Sequence, residues 1–264
     1  DSGEDVGLLY LDLYPRDSKR QGGWIETLRV QHKNQGVRIS PHLLIVCNLT
    51  KPTETTPALI TSYEAEVIFH EFGHALSVLL CDSQYASLSG LMTLIDFVEL
   101  PSQIMQSWLT QKESFKLFAK HYRTGEVISD IDVEKILKAD RFMSGWSVLS
   151  QASVALLDLQ WHTDKSVGVN DIEKFEQEIR GPYRFFPIFP GTSATTSFKH
   201  IFSGGYDVGY YSYHWAEVLA ADAFEYFKEN GLFSKEIAEK FRANVLSKGN
   251  TEEPLELYRA FRGR

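Results

Sequence analysis

The sequence has few of the residues that hold small secreted domains or structural metal sites together. Only two cysteines, Cys47 and Cys81, occur among 264 residues, so neither a disulfide framework nor a CxxC zinc site is predicted. Both cysteines lie in apolar surroundings and are expected to be small core residues. This usage predicts a reducing compartment, either the cytoplasm or an organelle lumen such as the mitochondrial matrix, and not secretion.

Long apolar runs and an excess of positive charge are also missing. No stretch is long enough to cross a bilayer, and the first residues do not resemble a signal peptide. Acidic residues outnumber basic ones by 35 to 27, which gives a net charge of -8; phosphate binding needs a basic surface. We therefore expect no membrane and no nucleic-acid partner. The chain starts without methionine and passes at once into a strand-like run, so we expect a processed chain or a fragment.

Short β patterns near the N-terminus give way to helical ones. Strands are predicted at residues 8–14, 24–30 and 43–47, which are apolar and separated by Gly and Pro. From Ser62 the apolar period becomes helical, with Thr61 or Ser62 as the cap of a helix that ends near residue 80. Further helices are predicted near residues 96–110, 132–161, 170–179, 206–229, 234–246 and 253–261. The predicted fold is mainly α with a small β-sheet near the N-terminus, in one domain over residues 1–264.

Residues 70–74 have the sequence HEFGH, which is the HExxH pattern of helical zinc sites. Because residues four apart lie on one helix face, the imidazoles of His70 and His74 can bind one zinc ion. Glu71 can take a proton from a water that the metal activates, as the general base of peptide hydrolysis. The apolar flanks predict a buried helix, where two histidines need partners. The alternative is a pair of hydrogen-bonded core histidines.

A catalytic zinc needs a third protein ligand, and Glu99 is the candidate. It lies 25 residues after His74 and two before Pro101, which is tolerated in the first turn of a helix or at a kink. Glu99 is therefore expected near a helix start, where a solvated glutamate is an equal alternative. Glu66 and Asp96, each one turn from a ligand, are candidate hydrogen-bond acceptors for the ligand imidazoles. Either could instead be a cap or a surface acid.

A tyrosine-rich segment follows two glycines at residues 204–213. Tyr206, Tyr210 and Tyr213 stand at i, i+4 and i+7, which predicts one shared helix face. Their hydroxyls could stabilise an oxyanion, and His200 could help to bind substrate. From these residues alone an aromatic core stripe is favoured. A phosphate-binding loop is less supported, since the Lys and Ser/Thr of a P-loop are missing.

Five segments together resemble the thimet oligopeptidase family of zinc metallopeptidases. They follow one another in family order over nearly the whole chain. The segments are 11–19 (LDLYPRDSK), 46–52 (VCNLTKP), 69–76 (FHEFGHAL), 96–103 (DFVELPSQ) and 203–213 (SGGYDVGYYSY).

The resemblance implies a zincin-type catalytic domain, mostly α-helical, with a deep channel between two lobes. It implies a zinc-dependent endopeptidase of short peptides with one zinc ion per chain. The residues that it carries over are His70, His74 and Glu99 as ligands, Glu71 as the general base, and Tyr206, Tyr210, Tyr213 and His200 as transition-state or substrate contacts.

Three features depart from the family pattern. Family members are more than twice this length, and the N-terminal lobe that forms the opposing channel wall is missing from this sequence. Ser77 stands where a histidine is frequent, and Leu91 stands where a polar residue is common. One alternative is therefore a truncated half-enzyme that binds zinc or peptide but is inactive alone. Another is a different peptidase activity of related zinc enzymes, such as an aminopeptidase.

Overall fold

A computed structural model describes residues 3–264. The chain is mainly helical with a small mixed sheet, as the sequence predicts. The strands are β1 (Leu8–Asp12), β2 (Trp24–Arg29), β3 (His32–Asn34), β4 (Val37–Ile39) and β5 (His42–Val46). The helices are α1 (Ser62–Leu79), α2 (Ile95–Val98), α3 (Leu100–Ser107), α4 (Lys112–Phe118), α5 (Asp130–Asp140), α6 (Ser144–Trp161), α7 (Ile172–Arg180), α8 (Ala194–Ser197), α9 (Ser212–Asn230), α10 (Lys235–Phe241) and α11 (Pro254–Arg262).

The three predicted strands form one sheet in the order β1-β5-β2. Strand β1 runs parallel to the central strand β5, and β2 runs antiparallel to it. The sequence analysis missed a second sheet, the hairpin of β3 and β4. Gln35 and Gly36 form its turn with φ of 49° and 81°, the positive values that two-residue hairpin turns require. Each hairpin strand has three residues, too few for an alternating pattern to be visible.

Helix α1 packs on the sheet and is fixed at its N-terminus by a capping box. The Thr61 side chain accepts from the N–H of Glu64, and the Glu64 carboxylate accepts from the N–H of Thr61. Leu43 and Ile45 of β5 pack against Ala75 and Val78 of α1 in a buried apolar cluster. Cys47 belongs to this cluster, and both Cys47 and Cys81 are buried free thiols.

The chain divides into two compact units, where the sequence analysis expects one domain. The first comprises residues 3–128 together with Ala216–Arg264. A second core in this unit joins α2 and α3 to the C-terminal helices, through Phe97, Leu100 and Ile104 against Phe224 and Phe261, among others. Within residues 3–264, no helix is long and apolar enough to cross a membrane.

The second unit is Ser129–Trp215 and is built from α5 to α8 and the loops between them. The single helix predicted near residues 132–161 is two helices here. Met143, between α5 and α6, has a φ of 59°, and this left-handed conformation cannot continue an α-helix. The helix predicted from residue 206 begins only at Ser212.

Candidate active site

Three predicted metal ligands meet in the first unit. His70 and His74 lie on one face of α1, and Glu99 lies at the junction of α2 and α3. Oε2 of Glu99 is 3.2 Å from Nε2 of His70 and 3.2 Å from Nε2 of His74. Two atoms bound to one zinc ion at about 2.0–2.1 Å in tetrahedral geometry are about 3.3 Å apart. The donor set and its spacing therefore fit one zinc ion, and they leave a fourth position for water or substrate.

Gly73 in α1 allows α3, the helix that follows Glu99, to pack closely against α1. A Cβ atom on Gly73 would lie 2.3 Å from the carbonyl oxygen of Pro101 and 2.5 Å from Cα of Ser102. Only glycine permits this contact between α1 and α3. Pro101 stands in the first turn of α3 and Glu99 is the N-cap residue, as the sequence predicts. The predicted helix over 96–110 is interrupted at this point, because Pro101 has no N–H to continue the helical hydrogen bonds.

Glu99 is a fully buried carboxylate whose ionised form has several partners. The hydroxyl of Ser102 lies 2.8 Å from Oε2 and donates to it. Burial alone would raise the pKa of Glu99, but the charge of His74 and the hydrogen bonds from both histidines hold it well below its usual value. A buried carboxylate that stays ionised is a suitable ligand for a cation.

A glutamine that the sequence analysis missed orients His70. Oε1 of Gln106 lies 3.2 Å from Nδ1 of His70, and Nε2 of Gln106 donates to Glu66 over 2.8 Å. An acceptor at Nδ1 favours the tautomer of neutral His70 that carries its proton there, and that tautomer has Nε2 available for a metal. Glu66 is thus linked to the ring through Gln106, and its predicted role as a direct acceptor stays a prediction. Gln106 lies seven residues after Glu99, a spacing that puts both on one side of α3.

Asp96, the other predicted hydrogen-bond acceptor for a ligand imidazole, lies in α2, and that role stays a prediction. Nδ1 of His74 is buried without a hydrogen-bond partner in the described part of the chain, and Nδ1 of His70 faces Gln106. Burial lowers the pKa of His70, but the hydrogen bond and charge of Glu99 outweigh it and raise that pKa to about 9. The two rings meet edge to face with centroids 4.9 Å apart.

Glu71, the predicted general base, follows His70 on α1 and is 6% exposed. Burial raises the pKa of Glu71 against the opposing charges of His70 and His74. A carboxylate with a raised pKa is a stronger proton acceptor. A Cβ on Gly23, which precedes β2, would lie 3.0 Å from Oε1 of Glu71. The carboxylate therefore contacts the backbone at the edge of the sheet, at a glycine that no motif indicated.

The four predicted substrate residues of the second unit also lie together. The rings of Tyr206 and Tyr213 stack with centroids 5.1 Å apart, and Tyr210 lies 5.3 Å from Tyr213. The His200 ring lies 5.2 Å from Tyr206 and 6.4 Å from the other two rings. We call these four residues the tyrosine cluster. It offers three phenol hydroxyls and one imidazole as hydrogen-bonding groups.

The predicted shared helix face is wrong, since only Tyr213 lies in α9. Tyr206 and Tyr210 belong to the turn that precedes it. Val208 has a φ of 61°, a left-handed conformation that an α-helix cannot include, so the helix starts after it. The cluster is built by a folded loop, and its rings meet by loop geometry and not by helical spacing.

Comparison with known proteins places the chain among peptidases. A family model described as Peptidase family M3 matches residues 1–264. Oligopeptidase A of Escherichia coli (strain K12) is 38% identical over 268 residues, which cover all of this chain and 39% of that protein. Dipeptidyl carboxypeptidase of the same organism is 37% identical over 265 residues, with the same coverage. The probable cytosolic oligopeptidase A of Arabidopsis thaliana is 39% identical over 275 residues, with coverage of 100% and 39%.

Solved structures support the same fold. The structure of PZ peptidase A with inhibitor 2 matches with a TM-score of 0.64 at 18% identity, over 95% of this chain and 39% of that one. A putative oligoendopeptidase F from Bacillus anthracis matches with a TM-score of 0.58 at 17% identity, over 95% and 36%. The chain therefore spans about two fifths of the length of the relatives that it matches.

Proposed function

The chain belongs to peptidase family M3, and we propose that it is the catalytic part of a zinc-dependent metalloendopeptidase that cuts internal bonds of short peptides. The convergence of His70, His74 and Glu99 carries this proposal, since Oε2 of Glu99 lies 3.2 Å from Nε2 of each histidine and the three residues offer ligand atoms within 4.8 Å of one another. We propose that residues 1–264 form one catalytic domain of the zincin type.

Zinc held by the two histidines and Glu99 would act as a Lewis acid and lower the pKa of a bound water to about 7. Glu71 is the residue that moves the proton. Its buried carboxylate, with a raised pKa, takes a proton from the attacking water at Oε and then gives it to the leaving amine. Gln106 and Ser102 hold the ligands His70 and Glu99 in place while this happens.

The tyrosine cluster has a proposed role in holding the peptide. In this proposed role the phenol hydroxyls, which are neutral donors, would stabilise the negative charge that develops on the scissile carbonyl oxygen. His200 adds a further donor for the peptide backbone. The proposal for Tyr206, Tyr210, Tyr213 and His200 is supported by the family resemblance and by the way that the loop gathers these rings.

Two alternatives concern how much of the reaction this chain performs. The chain spans 39% of the length of oligopeptidase A, so a half-enzyme that binds zinc and peptide, and needs an N-terminal lobe to act, is the second candidate. The identity of 37% with a dipeptidyl carboxypeptidase favours a third, the release of dipeptides from a free carboxyl end. The partners that we propose are short peptides, and the compartment is the cytoplasm or an organelle lumen, where two buried free thiols stay reduced.

Cleavage of a quenched fluorescent peptide of about ten residues with both ends blocked tests the proposal. We expect cleavage by the wild-type chain that a chelator abolishes, and none by Glu71→Gln. Cleavage only when the carboxyl end is unblocked would indicate the carboxydipeptidase, and cleavage that needs a free amine would indicate an aminopeptidase. A chain that binds zinc and cuts none of these peptides would be the half-enzyme. Cleavage by Glu71→Gln at the wild-type rate would contradict the proposed role of Glu71.

A further inference from the structure

Helix α6 carries a buried carboxylate, Asp158, that the proposed chemistry does not use. Asp158 is fully buried, with 0% of its surface exposed to solvent. It lies in the last turn of α6, where the carbonyl end of the helix repels negative charge. A carboxylate in such a place is destabilising unless hydrogen bonds compensate for its lost hydration. The partners of Asp158 therefore indicate why the residue is there.

Those partners are backbone N–H groups of the loop that builds the tyrosine cluster. The N–H of Val208 donates to Oδ1 of Asp158 over 2.9 Å, and the N–H of Tyr210 donates to Oδ2 over 3.0 Å. Between them, the N–H of Gly209 donates to the carbonyl of Tyr206 over 2.9 Å. One carboxylate thus holds the loop at two points, Val208 inside the turn and Tyr210 directly after it.

The loop conformation needs such an anchor. Val208 has a φ of 61°, which is a genuine outlier for a β-branched residue. Conformations of this kind persist only where surrounding contacts determine them. Val208 is 47% exposed, so packing of its own side chain does not supply the constraint. The two hydrogen bonds to Asp158 do.

The same end of α6 also contacts the segment that carries His200. Nδ1 of His162 lies 3.1 Å from Oδ1 of Asp158. The His162 ring lies 5.8 Å from the ring of Phe202, two residues after His200. Trp161 contacts Phe202 as well, at 6.2 Å between ring centroids. Both chain segments of the cluster are thereby tied to one turn of α6.

We propose that Asp158 is a positioning residue, which fixes the loop 204–211 so that Tyr206 and Tyr210 keep their places in the tyrosine cluster. That the cluster then serves peptide cleavage rests on the proposed function. The anchoring itself does not, because it concerns contacts within Ser129–Trp215 alone.

The first test is hydrogen exchange of the purified full chain, which needs no activity. The variant Asp158→Asn keeps the size of the side chain but replaces one acceptor oxygen by a donor, so only one loop N–H retains a partner. We expect protection of the segment 204–211 to fall by about 10-fold, the effect of one lost hydrogen bond to a charged group. Asp164→Asn, the same change at an exposed position beyond α6, is the matched control and should leave this segment unchanged.

The second test separates positioning from simple structural support. In cleavage assays Asp158→Asn should lower kcat by about 10- to 100-fold at unchanged zinc content. The loss caused by Tyr210→Phe should be smaller in the Asp158→Asn background than in the wild type, because residues that act through each other are coupled. If the losses in kcat caused by Asp158→Asn and Tyr210→Phe were simply additive, Asp158 would not act by positioning Tyr210.

A variant on the loop side covers the case in which Asp158→Asn does not fold. Val208→Pro removes one donated N–H and cannot adopt a φ of 61°, yet it changes an exposed residue. It should lower the protection of the loop and kcat as Asp158→Asn does. If Asp158→Asn folds and its loop is as protected from hydrogen exchange as in the wild type, the proposal is wrong. If Asp158→Asn does not fold, unchanged protection in Val208→Pro has the same meaning. A wild-type chain that cleaves nothing would contradict the proposed function and leave the exchange result to decide the anchoring.

Discussion

The missing side chain of Gly73 determines how closely Pro101 approaches helix α1. A Cβ atom on Gly73 would lie 2.3 Å from the carbonyl oxygen of Pro101, far inside van der Waals contact. Because Glu99 stands two residues before Pro101, this contact also sets the distance between the carboxylate and the two histidines. The fourth residue of the HExxH segment therefore acts on the metal site through backbone packing.

Gly73→Ala should separate α1 from α3 and weaken the metal site. Overpacking of this kind destabilises by about 1–3 kcal/mol, and the displaced Glu99 should lower the zinc affinity as well. Denaturant unfolding and a zinc titration against a competing chelator measure the two effects. Gly145→Ala is the control, since nothing lies within 4 Å of a Cβ at that position in α6; it should be neutral or stabilising. Equal zinc affinity of Gly73→Ala and wild type would contradict this account.

Gln106→Leu should reduce zinc affinity without unfolding the chain. The substitution removes the acceptor of the Nδ1 proton of His70, and loss of such a partner typically lowers metal affinity by about 10- to 100-fold. Gln111→Leu serves for comparison, because the side-chain amide of Gln111 donates to the neighbouring Thr110. The same chelator competition gives both values. If the two variants bind zinc equally well, Gln106 does not orient the ligand.

The second unit should depend on an acid-sensitive network around Glu176. This buried carboxylate contacts Arg184 at 2.6 Å and Arg180 at 3.2 Å. Burial raises the pKa of Glu176, but hydrogen bonds from Thr195 and Ser193 and the charge of Arg180 hold it below the ordinary value of 4.5. A lowered pKa means that the stabilisation is present above pH 4.5 and is lost as the pH falls through the lowered value.

Glu176→Gln should therefore lower the free energy of unfolding by about 3 kcal/mol at pH 7, because it leaves two arginines beside a neutral group. The difference from wild type should shrink as the pH falls below 4.5. Urea unfolding at pH 7 and at acid pH measures it. A difference that stays constant or grows in acid would show that Glu176 is not ionised in the native state.

Local signals predicted much of the fold and most of the metal site. Each of these signals involves residues a few positions apart. They are the capping box of Thr61 and Glu64, the apolar patterns of the strands around β5, and Pro101, which predicts a helix start near Glu99. Helix breaks were harder to foresee. Nothing near Met143 in sequence indicates its left-handed conformation.

The residues that the sequence analysis missed are those whose partners lie far away in the sequence. Gln106 reaches back 36 residues to His70, and Asp158 holds a loop 50 residues further on. Their roles depend on which elements pack together, and a single sequence carries no periodic pattern for that. The start of α9 was misplaced for the same reason, since spacing alone favoured a helix where Asp158 and the left-handed Val208 fix a turn.

Zinc content per chain, by elemental analysis of purified wild type, Glu71→Gln and His74→Ala, tests the central claim most directly. His70, His74 and Glu99 bind the metal in this account, and Glu71 moves the proton. Wild type and Glu71→Gln should each carry one zinc ion, and His74→Ala should carry none after dialysis. A zinc-free wild type, or a His74→Ala variant that keeps a full equivalent, would contradict the claim and return the two histidines to the role of hydrogen-bonded core residues.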